Sequence, residues 1–280
     1  MPPQPASRSD HAFWDRRRGR ILARKGGWVV GEAVYSHGYS LLEDLAGRAS
    51  YMQVLVLHGT GRLPERRLAD WLEALFVCMS YPDARIWCNQ MGSLAGTMAA
   101  GPAAGLCAGI LASDSRLYGP GTQAAGVAFI TAAVQERQQG VSAKEIVARQ
   151  PVRIPGGPPV LPGYVRPVAS GDERIAAMER VTADLGFPRG AHLSLAFEIE
   201  AVMLERFGEG MNLLGYTTAF LCDQGWSAQE QYRVLSPMVA AGVLACYVEA
   251  ADDPPGAFFP LRCEDIDYQG PAPRPVSDRS

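Results

Sequence analysis

The amino-acid sequence predicts a mostly α-helical protein, and three observations carry that expectation. Apolar residues recur at helical spacing through most of the chain, as in Leu68, Trp71, Leu72, Leu75 and Phe76. Residues that start and stop helices, Ser or Thr before and Gly or Pro after, punctuate these apolar runs. Strand-like alternation is confined to one short stretch, residues 21–39, which reads as a hairpin around Lys25-Gly26-Gly27.

In chain order, residues 1–19 are polar and predict a flexible terminus. After the hairpin, 41–48 and 51–58 read as short helices divided by Ser50, a residue suited to capping. Pro64 opens a helix over 65–79. Residues 92–113 predict one or two closely packed helices, interrupted near Gly101-Pro102. A helix follows over 122–138, stopped by Gly140, and a short one over 142–149, started by Ser142. Residues 151–167 are rich in Pro and Gly and predict a long loop, a feature that in compact proteins is commonly functional. The later helices are expected at 172–185, 191–207, 212–223 and 228–249, with a Pro-rich tail over 251–280.

Composition narrows the function classes. Hydrophobic residues make up 48%, enough for a sizeable core, and the net charge of −3 is built from interspersed charges of both signs. That pattern predicts no nucleic-acid partner, and the run Arg16, Arg17, Arg18, Arg20 reads as a solvated face. Six cysteines lie outside any CxxC or Cys/His metal spacing, so no metal site and a reduced, cytoplasmic location are expected. The first residues lack the apolar segment of a signal peptide. Residues 86–113 carry no charge over 28 positions, but Ala, Gly and Pro dominate there, so a buried interface and not a membrane span is expected. Within that run Gly92/Gly96, Gly101/Gly105 and Gly105/Gly109 stand four apart, which predicts close helix–helix approach and homodimerisation.

Three motifs carry a family resemblance. The run beginning at Tyr35, YSHGYSLLEDLAGRASYMQVLVLHGTGRLP, resembles the opening segment of the citrate synthase and citryl-CoA lyase superfamily, although His37 stands where that family has the arginine of RGY. LPGYVRPVASGDER, from Leu161, resembles the family's GFGHRVY…DPR stretch, and GMNLLGYTTAFLCDQG, from Gly210, resembles its PNVDFYSG helix. The resemblance covers residues 20–272. It implies a large helical domain (20–150 and 236–280, including the tail) with a smaller inserted helical domain (151–235). It also implies a CoA thioester and a small carboxylic acid as ligands, no tightly bound cofactor, and a homodimer.

The family's reaction is acid–base work on an enolate, with arginines holding carboxylates by bidentate pairing. In this sequence Tyr118 stands where the resemblance places the enolising histidine. It can donate a hydrogen bond but is a poor base, and the Gly-Pro-Gly beside it reads equally as an ordinary turn. Arg166 replaces the carbonyl-polarising histidine. It keeps a positive donor without proton exchange, or serves as a surface arginine on the loop. Leu214 replaces the catalytic aspartate, with Asn212 and Tyr216 keeping the frame on either side. Arg174 matches the family's carboxylate-binding arginine, and Arg262 lies about one residue from its tail arginine. By the same resemblance Gly163, Tyr164 and Val165 belong to the CoA-cradling loop, and Asn212 and Tyr216 to the substrate site. His192, outside these motifs, reads as a structural residue at a helix start. The expected function is an enzyme acting on a CoA thioester, forming or cleaving a carbon–carbon bond with non-standard residues. The alternative is a non-catalytic acyl-CoA-binding regulator or partner of an active paralogue.

Overall fold

A computed structural model of the chain describes residues 11–166 and 170–276. Of the sequence expectations, part of the flexible terminus, Pro167 of the loop and the last four residues lie outside that range. Among the described residues twelve α-helices form, with one three-stranded sheet. The chain divides into two compact units. The first runs from the N-terminal part to Cys78 and resumes over Thr122–Leu235; the second is Met79–Gly121 and the stretch from Ser236 onward. Residues 151–235, expected as a small domain of their own, thus fall in one unit with 122–150 and the N-terminal elements.

The first unit opens with α1 (Ala12–Asp15) and the antiparallel strands β1 (Gly26–Val29), β2 (Ala33–Ser36) and β3 (Tyr39–Ser40). The first hairpin turns at Gly31 (φ +73°), not at Lys25-Gly26-Gly27, which lead into β1 instead. The second turns on His37 (φ +50°) and Gly38 (φ +86°), the paired left-handed residues of a two-residue hairpin. The helix expected over 41–48 is a single wide turn, Leu41–Leu45, because Ala46 is already extended and Gly47 left-handed (φ +75°). Next come α2 (Tyr51–Thr60) and α3 (Arg66–Cys78). Ser50 starts α2 through a reciprocal box, its Oγ accepting from Gln53 N at 3.2 Å while Gln53 Oε1 accepts from Ser50 N at 3.0 Å.

After the second unit's first pass, the first unit resumes with α6 (Gln123–Gln138), α7 (Ala143–Ala148), α8 (Glu173–Asp184), α9 (Ala191–Phe207), α10 (Leu213–Asp223) and α11 (Ala228–Leu235). Its core centres on Trp71 of α3, whose indole stacks on Phe220 at 3.9 Å between centroids. The Trp71 Nε1–H donates to Thr182 Oγ1 at 2.8 Å, so the largest core ring keeps its polar handle satisfied. Asp223, at the end of α10, caps the start of α9 by accepting from His192 N at 2.9 Å and Leu193 N at 3.0 Å. His192 Nδ1 meets the same carboxylate at 2.9 Å, as suits a structural residue at a helix start.

The second unit holds α4 (Trp87–Thr97), α5 (Pro102–Ser113) and, from the later segment, α12 (Ala240–Asp252). The uncharged run therefore forms two helices of 11 and 12 residues, each shorter than the ~20 needed to cross a bilayer. The helix expected over 228–249 is broken after Leu235, where Ser236-Pro237 ends α11 because proline cannot continue the hydrogen-bond ladder. The glycine faces expected at a subunit interface are filled within the chain. A Cβ on Gly92 would lie 2.6 Å from the Val243 carbonyl oxygen, one on Gly105 would lie 2.7 Å from the Tyr247 ring, and one on Gly96 would collide with the Tyr247 carbonyl. Close backbone approach of α4 and α5 to α12 is what these glycines permit.

Two outcomes follow from this packing. Gly92→Leu should destabilise the second unit itself, by about 3 kcal/mol or more, since the obstacle is backbone that cannot rotate away; thermal unfolding would measure it, and an unchanged melting temperature would contradict the packing. The second concerns His37, whose Nε2 is enclosed without a partner and whose ring stacks on His58 at 5.7 Å. Burial, then His58, then Lys25 push its pKa below the ordinary value. Its neutral form is favoured by folding, so the stability it contributes is present above about pH 6.5 and lost as pH falls below that. Melting temperature measured from pH 8 to pH 5 should fall, and His37→Asn, which tolerates the left-handed backbone, should flatten that fall.

Candidate active site

The loop before α8 is fixed by a short antiparallel bridge between Tyr164 and Met211. Asn212 N donates to Gly163 O at 2.9 Å and Val165 N to Gly210 O at 2.9 Å, while Asn212 Nδ2 donates to Val165 O at 3.2 Å. Gly163 (φ +86°) comes so close to α10 that a Cβ there would lie 2.5 Å from the Cα of Gly215. Val165 is left-handed at φ +69°, a costly conformation for a β-branched residue, held by the bonds just named. Asn212 also starts α10, its Oδ1 accepting from Gly215 N at 3.0 Å.

This bridge sets Arg166 beside the start of α8, where Asp172 is the N-cap. Arg174 clamps the Asp172 carboxylate with two parallel bonds, Nε to Oδ1 and Nη2 to Oδ2, each 2.7 Å. Asp172 Oδ2 also accepts from Leu213 N, the first residue of α10, at 2.9 Å. Arg166 Nη1 lies 3.7 Å from Asp172 Oδ1 and donates to Glu173 Oε2 at 2.7 Å. The Asp172 side chain is wholly enclosed, whereas about a quarter of the Arg166 and Arg174 side chains remains open to solvent. Burial pushes the Asp172 carboxyl up, but Arg174, the Leu213 N–H and Arg166 outweigh it and hold the carboxyl below its usual range. Cys78, at the end of α3, senses both groups; burial pushes its thiol up, against the pull of Arg174.

The structure brings Arg166, Arg174, Asn212, Gly163 and Val165 together in this way. Asp172, the carboxylate that joins them, was not singled out from sequence, though Asp before a helix is a capping signal. Tyr164 and Tyr216 are placed differently. Tyr164 is buried and donates to Ala196 O at 2.9 Å, and burial raises its pKa. Tyr216 is fully enclosed, its hydroxyl shared between Thr182 Oγ1 (2.8 Å) and Glu179 Oε1 (2.7 Å), so its polar group is committed inside the core. Both were expected in the ligand site; their hydroxyls are engaged by α9 and α8 respectively. The small cavity lined by Gly126, Phe129, Pro162, Tyr164, Gly215 and Thr218 is about 10 Å³, room for a single water.

Tyr118 and Arg262 belong to the second unit. Tyr118 is half-buried before the tight turn Gly119–Thr122, its hydroxyl 3.4 Å from Cys88 Sγ and its ring edge-on to Trp87 at 5.4 Å. Burial pushes the Cys88 thiol up, against the opposing Tyr118 hydrogen bond. Arg262 is exposed and precedes the turn Cys263–Asp265. Among the described residues no group of three or more His, Cys, Asp or Glu could hold a metal ion.

The clamp makes a definite prediction. Asp172→Ala removes the paired bonds to Arg174 and the acceptor of Leu213 N, so stability should drop by about 3 kcal/mol, readable by urea unfolding. With the carboxyl held low, that stabilisation is present above pH ~4 and lost as pH falls further.

No protein-family model and no curated protein matches the chain. Solved structures do. Citryl-CoA lyase from Hydrogenobacter thermophilus superposes with a TM-score of 0.73 at 22% identity, over 92% of this chain and 98% of that one. ATP citrate lyase from Methanothrix soehngenii, solved with citrate and coenzyme A, gives 0.73 at 16% identity over 97% of this chain, which spans 45% of the larger protein. Citrate synthase from Thermoplasma acidophilum, solved with carboxymethyl coenzyme A and oxaloacetate, gives 0.59 at 16% identity over 81% of this chain and 59% of that one. The helical arrangement of this chain is the citrate-synthase-like fold that these citryl-CoA lyase, ATP citrate lyase and citrate synthase structures share.

Proposed function

We propose that the protein binds a CoA thioester together with a small carboxylic acid and makes or breaks a carbon–carbon bond between them. One observation carries the reading: two partly open arginines, Arg166 and Arg174, are held in fixed geometry at the start of α10 by an enclosed carboxylate. Three similar structures of this fold are described with coenzyme A, citrate, citryl-CoA, or oxaloacetate and a CoA derivative, which supports the ligand class. Arg166 presents the positive donor to the acid or to a CoA phosphate, and the backbone of Gly163 and Val165 lines the cradle. Arg174, engaged along its Nε–Nη2 edge by Asp172, orients the site more than it binds.

Leu214 supplies no acid–base group where the resembled family has its aspartate. That favours a second reading, a regulator that binds acyl-CoA without turning it over or supports an active paralogue. The protein works as a homodimer in either case. α4, α5 and α12 each leave an apolar stripe uncovered, with Leu94, Met98, Leu111, Leu244 and Val248 among the exposed side chains. The six free cysteines fit a reducing cytoplasm.

Calorimetry with coenzyme A and citrate, singly and together, tests the binding that both readings share. Arg166→Gln should weaken binding about ten-fold, the loss expected of one charge-assisted hydrogen bond worth ~1.5 kcal/mol. Turnover of citryl-CoA, followed by thiol release, then separates enzyme from regulator, and acetyl-CoA with oxaloacetate should give no ordinary citrate synthase rate. Absence of any binding at millimolar ligand would remove both readings.

A further inference from the structure

Arg166 is the partly open cation at the start of α8, and its charge is already answered from within the chain. Its Nη1 donates to Glu173 Oε2 at 2.7 Å and lies 3.7 Å from Asp172 Oδ1. The two carboxylates differ in freedom. Asp172 is enclosed and committed, both oxygens pairing with Arg174 while Oδ2 also accepts from Leu213 N. Glu173 keeps 74% of its side chain in solvent. Arg166 holds the Glu173 carboxyl below its ordinary range, so it is ionised at neutral pH.

A helix-starting role accounts poorly for Glu173. An acid in the first turn favours the helix dipole, but α8 is already started by Asp172, whose Oδ1 accepts from Arg174 N at 3.2 Å. A side chain so exposed adds little burial. Its effect is on charge: Asp172 answers Arg174, Glu173 answers Arg166, and the four charges sum to zero. Arg166 and Glu173 also depart together from the resembled GFGHRVY…DPR stretch, standing at its histidine and its proline.

Given the ligand reading proposed above, we infer that Glu173 is an internal competitor, whose carboxylate occupies Arg166 until a carboxylate or phosphate of the ligand displaces it. The exchange costs little, because an ion pair with one largely exposed member is weak. The incoming anion gains a charge-assisted bond to a guanidinium whose surroundings Asp172 keeps fixed. Glu173 thereby sets selectivity: a neutral group cannot take its place on Arg166, so a ligand lacking the anion gains nothing there.

Calorimetric titration of the full-length protein with coenzyme A and with citrate, each alone, tests this. Glu173→Gln removes the charge and keeps the side-chain length. Whichever ligand seats its anion on Arg166 should bind the variant about three- to five-fold tighter, the release expected of so exposed a pair. The other ligand should be unaffected, which tells a carboxylate from a CoA phosphate. Added salt should weaken binding more steeply in the variant, where the guanidinium charge is no longer balanced internally. In an Arg166→Gln background, Glu173→Gln should change neither affinity. Tightening that persists in that background would overturn the inference, since Glu173 would then act elsewhere than on Arg166. A purely structural Glu173 would give a lower melting temperature with affinity unchanged or weaker; that result sinks the competitor and leaves the ligand reading standing. If neither protein binds either ligand, both fall together.

Discussion

The enclosed carboxylate of Asp172 is the constraint on which the candidate site depends. It starts α8, pairs with Arg174 at two points, and accepts from the first amide of α10. A buried anion is tolerable only when its charge and lone pairs are answered, and here they are answered by the groups whose positions matter. Moving α8 relative to α10 would unpair the carboxylate, so the helix starts and both arginines are held together. A cluster built this way presents Arg166 in a set geometry without relying on a flexible surface loop.

Backbone contact is the second constraint, and glycine makes it possible in both units. Gly163 against Gly215 lets the loop lie on α10, where any Cβ would push Arg166 and the Tyr164–Met211 bridge away. In the second unit Gly92, Gly96, Gly105 and Gly109 bring α4 and α5 onto α12 by the same device. The outer faces of these three helices keep their apolar side chains uncovered, so tight packing inside the unit leaves a surface suited to association outside it.

Much of the fold was legible because helix signals are local. Ser50, Ser142, Asp172 and Asn212 stand as N-caps in the structure and each precedes a helical apolar pattern in the sequence. Pro237 lies inside the apolar run expected as one helix over 228–249, and in the structure it separates two helices. What the site residues touch was not local and could not be read in the same way. Tyr216 keeps the spacing of the family's motif, and its hydroxyl meets Glu179 and Thr182 of α8, partners that no spacing announces. The glycine spacing correctly signalled close helix approach but could not tell a partner within the chain from one outside it. The Asp172–Arg174 pair lies two letters apart in the sequence, whereas the bond from Asp172 to Leu213 joins positions 41 residues apart.

Native-state hydrogen exchange at the Leu213 amide tests the role of Asp172 most directly, because that amide reports the clamp itself. If the carboxylate holds α8 and α10 together, Leu213 should exchange only with global unfolding in the wild type. In Asp172→Ala it should exchange through a local opening, while amides in the middle of α9 keep their protection relative to the new global stability. Rapid exchange of Leu213 in the wild-type protein would contradict the account.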